Sequence, residues 1–384
     1  MSTKTSIEWT HVPGYRGASW NPVVGCSRKS SGCEHCYAEV MASRIANSAL
    51  AKLRKQVPQD AQQAILHQRP SDALGVLRSY MQDLTPTEQA YLDAVRWEHG
   101  GYNGPLHLND KALPQWSRKL IPLQHALEIP LKTKAPTAWF VNSMSDLFHE
   151  SVPFSFIDQV MAVCVLCPQH LNLFLTKRAD VMAAYWAQPN RKQRIEEAIL
   201  QLMTTYSLPS RYIEWVDGND LVIPNVWLGT SVEDQSTADA RIPHLLRCPA
   251  AVRFLSCEPL LGPVDLRAFQ QHTVSSDAYT VFTPFHWVIA GGESGPKARP
   301  MHPDWARGLR DQCQAAGVPF FFKQWGEWIG KRPEQLKPSG ASKVHEWNGG
   351  VTAWKVGKRE SGRLLYGVEH NGWPEAITEK MVKA

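Results

Sequence analysis

The stretch VRFLSCE, residues 252–258, shows the pattern that decides the fold: a short apolar run that ends in polar residues. The same pattern occurs in TAWFVNS (137–143), LNLFLTK (171–177), NVWLGTS (225–231), HWVIAGGES (286–294) and PFFFKQW (319–325). Short runs that do not alternate between apolar and polar residues are typical of parallel strands buried on both faces. Helical patterns lie between them, so the chain predicts an α/β fold of repeated strand and helix units.

Six such strands, with an earlier one expected near the first cysteines, favour a full or partial (β/α) barrel of the TIM type. We predict four segments along the chain. They are a first strand with a cysteine-containing loop (1–43), a helical insertion (44–115), the barrel core (116–330) and a small basic, aromatic-rich C-terminal extension (331–384).

Polar residues collect at the carboxyl ends of the predicted strands, where the chemistry of such barrels takes place. They are Asn142, Ser143, Ser145, Asp146, Thr176, Lys177, Arg178, Thr230, Ser231, Glu233, Ser256, Cys257, Glu258, Glu293, Ser294, Lys323 and Gln324. Solubility alone explains any single one of them. Six successive strands that end this way predict a binding or catalytic site.

The bulk composition excludes several classes of protein. A chain of 384 residues with 43% hydrophobic content is typical of a globular fold. No apolar run approaches the roughly 20 residues that span a bilayer, and the N-terminus lacks the apolar core of a signal peptide. Eight cysteines are too few for a disulfide scaffold of this length. We therefore expect a cytoplasmic protein without a membrane partner.

Three of the cysteines, Cys26, Cys33 and Cys36, lie together in GCSRKSSGCEHCYAE (25–39), with six and then two residues between them. In a reducing compartment this spacing predicts a metal or cluster site rather than a disulfide with a spare thiol. Structural zinc requires a fourth ligand. The candidates for that ligand are His35, His149 and Cys257.

An iron–sulfur cluster is the other interpretation of the three cysteines. A [4Fe–4S] cluster held by three thiolates needs no fourth protein ligand and leaves one iron open to a small molecule. Three close cysteines at the start of a barrel-type chain are the arrangement of radical S-adenosylmethionine (SAM) enzymes, in which SAM binds the open iron. The commonest radical SAM pattern has three and two residues between the thiols. The wider spacing here leaves the zinc alternative open.

A longer set of motifs carries a family resemblance. They are WNPVVGCSRKSSGCEHCYAE (20–39), VNSMSDLFHE (141–150), LTKRAD (175–180), LGTSVEDQ (228–235), FLSCEPLLGPV (254–264), IAGGESGPKARPMHPDW (289–305) and VPFFFKQWGEW (318–328). In this order they resemble an uncharacterised, phage-associated radical SAM-like family, a domain of unknown function with the same wide three-cysteine motif. The resemblance covers residues 5–40 and 105–330, and leaves out the predicted insertion and the C-terminal extension.

The resemblance implies that Cys26, Cys33 and Cys36 bind a [4Fe–4S] cluster, that SAM is the second cofactor, and that flavodoxin or ferredoxin supplies the electron. It also implies a host-cytoplasm location if the chain is phage-encoded. The implied reaction is DNA hypermodification of the Cα-glycyl-thymidine synthase type. In that reaction an N-linked glycyl adduct of thymine becomes Cα-linked.

Chemistry and strand order assign the SAM-binding roles. The predicted residues are Ser143, Ser145, Asp146, Lys177, Arg178, Thr230 and Glu233. Those at the second strand end would accept the SAM amine, the cations at the third would bind its carboxylate, and the fourth strand would bind its ribose. Tyr37 or Trp20 would shield the cluster or stack near the adenine.

The later strand ends are predicted to bind substrate. The residues are Gly291, Gly292, Glu293, Ser294, Gln324 and Trp325. The Gly-Gly pair would permit close backbone approach, and the Ser-Gly that follows would bind phosphate through N–H groups. Glu258 or Lys323 would move a proton. Cys257 would quench a radical by donating hydrogen, although a thiol at a strand end is more often part of the packing.

The C-terminal extension accounts for most of the net positive charge of the chain. Residues 331–384 contain ten Lys and Arg against six Asp and Glu, within a net charge of +5 for the chain. Aromatic residues interleave with these bases, a mixture that binds phosphates and stacks on nucleobases. They are Trp347, Trp354, Tyr366 and Trp373. The alternative is a small β-rich extension whose aromatic residues are simply core.

The sequence thus predicts a radical SAM enzyme that acts on a thymine base in DNA, which would have to leave the base stack to reach the site. Two other classes remain open. One is a zinc-stabilised nucleic-acid-binding protein without catalysis. The other is a radical SAM enzyme that acts on a peptide or a small metabolite.

Overall fold

A computed structural model of the chain shows a curled sheet of seven parallel strands flanked by helices, which forms an open half-barrel. The structure describes residues 5, 7–56, 84–85, 106–108, 114–208, 221–269, 271–275, 278–282, 284–331 and 340–374.

The seven strands follow one another in space in the same order as in the chain, and each neighbouring pair is parallel. They are β1 (Arg16–Trp20), β2 (Thr137–Val141), β3 (Leu171–Thr176), β4 (Val226–Ser231), β5 (Val252–Cys257), β6 (Trp287–Gly291) and β7 (Phe320–Gln324). Strands β2 to β7 coincide with the six apolar runs. The α/β prediction is therefore confirmed, and the sheet is compatible with a partial TIM-like barrel.

The helices are α1 (Tyr37–Gln56), α2 (Glu128–Lys132), α3 (Phe154–Leu166), α4 (Ala179–Trp186), α5 (Arg191–Thr205), α6 (Gln235–Leu246), α7 (Pro303–Ala315) and α8 (Lys358–Ser361). Outward-facing strand residues such as Val141, Leu228 and Val288 share one buried cluster with Ile157 of α3 and Leu245 of α6. Apolar side chains thus cover the outer face of the sheet, which is why these strands do not alternate with polar residues.

The inner face of the sheet is filled by a second, mainly aromatic cluster. Trp9, in the short 3-10 helix Glu8–Thr10, lies with its ring centroid 4.6 Å from Phe140, 6.0 Å from Phe254 and 6.2 Å from Trp287. These rings come from β2, β5 and β6, so Trp9 brings distant strands together across the curl of the sheet. The interior is therefore a packed core below the carboxyl ends of the strands.

The C-terminal extension adds to the exposed edge of β7. The Phe322 N–H donates to the His370 carbonyl (2.9 Å), and the Gly372 N–H donates to the Phe320 carbonyl (2.9 Å). A strand edge with unpaired N–H and C=O groups invites pairing with other chains, and this segment occupies part of it.

The aromatic residues of the extension have different surroundings. The Trp373 ring lies 5.1 Å from Trp287 and 5.2 Å from Phe321, inside the inner cluster. Trp347 packs on the small sheet of the extension. Tyr366 is 43% exposed. The core reading therefore holds for Trp373, while Tyr366 is on the surface.

The other strands in the described part of the chain form small antiparallel sheets. They are Val23–Val24 with Ile121–Pro122, Leu106–Leu108 with Pro114–Trp116, Gln271–Ser275 with Ala278–Phe282, and Trp328–Lys331 with Thr352–Lys355 and Lys343–Glu346. Most of the predicted helical insertion, residues 44–115, lies outside the described residues. Within it, residues 44–56 are helical as predicted, and Leu106–Leu108 is a strand.

None of the helices in the described ranges is long and apolar enough to cross a membrane.

Replacing the ring at the centre of the inner cluster tests this packing. We expect Trp9→Ala to lower the free energy of unfolding by about 3–5 kcal/mol, because Trp9 is 2% exposed and its loss leaves a cavity between three strands. Urea unfolding followed by circular dichroism measures the change. Leu200→Ala is the control, because Leu200 is 65% exposed on α5 and should change stability by less than about 0.5 kcal/mol. Equal effects of the two substitutions would contradict the packing described.

Candidate active site at the carboxyl edge of the sheet

The loop that carries the three cysteines leads into α1. Cys26, Cys33 and Cys36 are half-buried free thiols. Burial raises the pKa of the Cys26 thiol to about 12, with Asp146 as the next cause. Burial also raises the pKa of Cys36, although the backbone N–H groups of the first turn of α1 lower it. Ligation by either thiol must therefore release a proton.

Arg178, near the end of β3, ties the loop to the third strand. Its guanidinium donates to the Ser27 carbonyl (3.0 Å) and hydroxyl (2.7 Å), and Nη1 lies 4.0 Å from the Cys26 sulfur. The same group donates to Asp146 (3.1 Å) and Glu150 (2.9 Å). Because the Arg178 side chain is only 2% exposed, losing one of these partners would leave a charge uncompensated.

Glu233, after β4, ties the loop to the fourth strand. Its fully buried carboxylate accepts from the Ser30 hydroxyl (2.9 Å) and pairs with Arg241 (2.8 Å) and Lys177. Burial alone would raise the pKa of Glu233, but the two cations hold it below its usual range. A Cβ at Gly32 would lie 2.4 Å from the Glu233 Oε1, so the loop approaches this carboxylate as closely as only glycine permits.

Glu293, after β6, forms the third attachment. It accepts from the Arg299 backbone N–H (2.7 Å) and guanidinium (2.6 Å), and lies 3.2 Å from the His35 Nδ1. Arg299 also donates to the Ser31 carbonyl (2.9 Å) and the Glu34 carboxylate (3.2 Å). Burial opposes ionisation of Glu293, but Arg299 and His35 keep its pKa below the usual range. The cysteine loop is thus attached at the ends of three strands.

The predicted SAM-binding residues are largely engaged in these attachments. Asp146, Lys177, Arg178 and Glu233 pair among themselves, with Arg241 and Glu150, and with the loop. The two serines of that prediction bind the segment after β1: the Ser143 hydroxyl donates to Asn21 (3.2 Å) and the Ser145 hydroxyl to the Val23 carbonyl (2.7 Å). The structure brings these residues together, but around the loop.

Tyr37 lies between the cysteine loop and the end of β2. Its hydroxyl donates to the Ser143 carbonyl, next to the end of β2. Burial raises the pKa of this phenol, and the charges of Cys36 and Glu258 raise it further. The residue as a whole is 52% exposed, so one part of the ring faces solvent while the hydroxyl end points inward. That Tyr37 shields a cluster or stacks near an adenine stays a prediction.

A second polar group lies at the ends of β5, β6 and β7. The Lys323 ammonium donates to both oxygens of Glu258 (2.8 and 2.9 Å), and both side chains are only partly exposed. The Gln324 amide NH₂ donates to Glu258 (3.2 Å) and to the Ser294 hydroxyl (2.9 Å). The structure therefore brings together four residues predicted to bind substrate or to move a proton.

The Gly-Gly pair has a local explanation. A Cβ at Gly292 would lie 1.9 Å from the Trp325 carbonyl, so the close backbone approach here is by the chain itself. The Gly295 N–H donates to the Glu327 carboxylate (3.1 Å). This N–H group, which was predicted to bind phosphate, is therefore already bonded to a carboxylate. Gly291 faces a side chain rather than backbone alone. A Cβ there would reach within 3.4 Å of the Glu258 carboxyl carbon, so the lack of a side chain at Gly291 leaves room beside that carboxyl group.

Several predicted residues lie away from the strand-end site. Cys257 is fully buried in the outer cluster, where burial raises its pKa. Thr230 is buried and donates to the carboxyl-end backbone of β3 (2.9 Å). Trp325 and Trp20 are in the outer cluster, and their indole N–H groups donate to backbone carbonyls (2.9 and 2.8 Å). These side chains therefore pack the core rather than line the site.

The candidate fourth zinc ligands are all engaged or remote. Cys257 is in the outer cluster, and His35 binds a carboxylate through Nδ1. The His149 Nε2 lies 2.7 Å from the Ser27 hydroxyl, and its Nδ1 accepts a backbone N–H (3.1 Å).

The three thiols are the donors that this loop offers to a metal centre. In the described ranges, no group of three or more His, Cys, Asp or Glu is placed to hold a single metal ion. Three thiolates are the number of donors that a [4Fe–4S] cluster with one open iron requires.

Sequence reasoning missed two arginines that matter here. Arg241 is on α6 and Arg299 follows β6, and each neutralises a buried glutamate. Neither lies directly at a strand end. The signal that was available is the position of Glu233 and Glu293 directly after strands predicted to be buried, since a carboxylate that becomes buried there requires a cationic partner.

The fold and the site define an α/β protein whose curled parallel sheet carries a three-cysteine loop at its carboxyl edge. A family model described as "Protein of unknown function (DUF5131)" matches residues 4–81 and 93–374, and the chain belongs to this family. No curated protein and no solved structure matches the chain.

The contact between Gly32 and Glu233 can be tested directly. We expect Gly32→Ala to lower the free energy of unfolding by about 1–3 kcal/mol, because the added methyl group collides with a carboxylate held by two ion pairs. The loop should also detach more often, so the three half-buried cysteines should react faster with a thiol reagent. Anaerobic unfolding and thiol-labelling rates measure the two effects.

Gly308→Ala is the matched control. Gly308 lies inside α7, nothing lies within 4 Å of the added Cβ, and alanine is the better helix former. This substitution should raise stability by up to about 1 kcal/mol and leave the labelling rate unchanged. If Gly32→Ala behaved in the same way, the loop would not be seated on Glu233.

Proposed function

We propose that this protein is a radical SAM enzyme in which Cys26, Cys33 and Cys36 hold a [4Fe–4S] cluster. The observation that carries the proposal is the loop itself: three thiols on one segment, attached by buried ion pairs at the carboxyl edge of a curled parallel sheet. The other five cysteines, which are Cys164, Cys167, Cys248, Cys257 and Cys313, are buried in the outer cluster. The loop therefore offers three thiolates, the number that leaves one iron open.

When bound, such a cluster supplies the electron that cleaves SAM and generates a 5′-deoxyadenosyl radical. The chain fixes the position of the cysteines and restricts water at the site. Arg178, Glu233 and Glu293 act as positioning residues, because each attaches the loop to a different strand end. Tyr37 covers part of the candidate site at the carboxyl edge of the sheet. We assign the electron donor to a flavodoxin or a ferredoxin.

Glu258 and Lys323 are the proposed proton-transferring pair. Their ion pair is partly open to solvent, beside the space left by Gly291, so either group can exchange a proton with a ligand there. The Gln324 NH₂ group also donates to the Glu258 carboxylate and is itself held by the Ser294 hydroxyl. A pair held in this way keeps its geometry while a proton moves.

For the substrate we propose a modified thymine base in DNA. The proposed reaction is an isomerisation: the bond from the thymine methylene to the glycine nitrogen breaks, a bond to the glycine Cα forms, and one hydrogen moves from Cα to nitrogen. No net oxidant is needed. The family resemblance of the motifs supports this substrate, as do the exposed Lys and Arg side chains of the C-terminal extension.

Cluster content and SAM cleavage are the primary test. After anaerobic reconstitution we expect about four iron and four sulfide per chain, and 5′-deoxyadenosine after addition of SAM and reductant. Cys33→Ala should lose most of the iron and all of the 5′-deoxyadenosine. Cys313→Ala is the control, because this thiol is buried on α7, and it should retain both.

Two results would replace the proposal by one of its alternatives. A colourless protein that contains zinc and no sulfide would establish the zinc-stabilised nucleic-acid-binding class. Cleavage of SAM without any salt-sensitive binding of DNA would establish an enzyme that acts on a peptide or a small metabolite.

DNA binding by the extension has a separate test. Lys343, Lys358 and Arg359 are exposed bases of the extension. If each contacts a phosphate, alanine at all three positions should reduce the slope of log affinity against log salt by about 0.9 per lost contact. Fluorescence anisotropy with duplex DNA at several salt concentrations measures this slope. Point substitutions are required because deleting the extension would remove the segment paired with β7.

The charge-matched control is the triple substitution of Lys132, Lys192 and Arg194, exposed or partly exposed bases on α2 and α5. It removes the same net charge from other elements and should change the slope less. Equal slopes for the two triple variants would exclude the extension from DNA binding.

A further inference from the structure

Asn142 is a buried side chain whose amide has no role in the site described above. It directly follows β2, and its N–H donates to the Trp20 carbonyl (2.7 Å), which continues the pairing with β1. The residue is 3% exposed. Neither its amide oxygen nor its amide nitrogen has a hydrogen-bond partner among the described residues.

The backbone explains why an asparagine is tolerated here, but not why its amide is buried. Asn142 has φ of +59°, in the left-handed region where asparagine and glycine are favoured. Glycine would satisfy this conformation equally well. A buried amide without partners is costly, so a buried group of this kind calls for an explanation such as a ligand.

The backbone places Asn142 at the carboxyl edge of the sheet, where the candidate site lies. The next residue, Ser143, accepts a hydrogen bond from Tyr37, which follows the third cysteine of the loop. Asn142 lies at this edge, beside the segment that Tyr37 contacts.

A second amide group without a described partner lies at the end of β7. The Gln324 Oε1 is buried and has no partner in the described part of the chain, although the NH₂ of the same side chain is bonded twice. Gly291 leaves room beside Glu258 at the same edge of the sheet. The ends of β2 and β7 therefore present polar groups that the described residues do not satisfy.

We propose that the Asn142 amide binds the donor–acceptor edge of a nucleobase. An asparagine amide presents one acceptor and one donor in a plane, which is complementary to a ring edge that carries a donor next to an acceptor. Tyr37 supplies an aromatic face at the same edge of the sheet, against which a planar base can stack. This inference rests on the proposed function and identifies which residue of that site recognises the base.

Two nucleobases have the required edge in the proposed reaction. One is the adenine of the SAM nucleoside, with its N6 donor beside a ring nitrogen acceptor. The other is the thymine of the substrate, with its N3 donor beside a carbonyl acceptor. The chemistry of recognition is the same, so the source of the base is decided by experiment.

The experiment compares nucleosides with and without the donor. Adenosine is paired with N6,N6-dimethyladenosine, and thymidine with N3-methylthymidine, in ligand-detected NMR titrations of the full chain. We expect the wild-type protein to bind one member of a pair about tenfold more tightly than its methylated analogue. Asn142→Gly, which keeps the backbone conformation, should bind the two members equally. The pair that shows this change identifies adenine or thymine as the base.

Asn142→Asp provides the second variant, since aspartate also tolerates the left-handed conformation. It keeps the acceptor and loses the NH₂ donor, so it should bind the preferred nucleoside more weakly than the wild-type protein. Urea unfolding of both variants checks the fold. If the amide is unpartnered as described, Asn142→Gly should be no less stable than the wild type, whereas a structural role would lower its unfolding midpoint.

Three outcomes overturn the inference. They are equal binding of both members of each pair by the wild-type protein, discrimination that persists in Asn142→Gly, and a marked loss of stability in that variant. The titrations do not require the cluster, so they are independent of the iron analysis. A wild-type protein without iron that still shows the Asn142-dependent discrimination would contradict the proposed function and leave the nucleobase site standing.

Discussion

The candidate site depends on buried carboxylates that require cationic partners. Asp146, Glu233 and Glu293 lie at the carboxyl edge of the sheet, where an isolated charge would be strongly unfavourable. Arg178 neutralises the first and Arg299 the third, and both arginines extend to the backbone of the cysteine loop. The loop has little regular structure of its own, yet it is held at three strand ends. Detaching it would separate a buried carboxylate from its cationic partner, which is energetically unfavourable.

An aromatic core lies below the candidate site. Trp9 comes from the start of the chain and Trp373 from the C-terminal extension, and both pack against Trp287 inside the curl of the sheet. They fill the interior below the carboxyl ends of the strands. Among the described residues, this leaves the carboxyl edge of the sheet, beside the cysteine loop, Tyr37 and the Glu258 carboxylate, as the candidate place for a ligand. Chemistry at this edge is the general rule for barrels of parallel strands.

The strands and the thiol triplet could be predicted because both are local signals. A short apolar run bounded by polar residues indicates a buried strand, and C-x6-C-x2-C indicates a candidate ligand set, without knowledge of neighbours. The roles of single strand-end residues were harder to predict. Cys257 and Trp325 pack outward, because which face a side chain takes at a strand end depends on the local pairing and bulges. Arg299 was not predicted because it follows the strand end by several residues. Its pairing with the buried Glu293, six residues earlier, becomes visible only when the loop is folded.

The sequence by itself determined the α/β class, the six apolar strands of the sheet and the identity of the three thiols, because these depend on short stretches and on residue chemistry. Only the tertiary structure decided that the predicted SAM-binding charges hold the loop, that Trp373 is core, and that the Asn142 amide is buried without a partner among the described residues. Each of these depends on groups that are distant in the chain and become neighbours only after the sheet curls. Burial then removes water as an alternative partner, and that sets the energetic value of each contact.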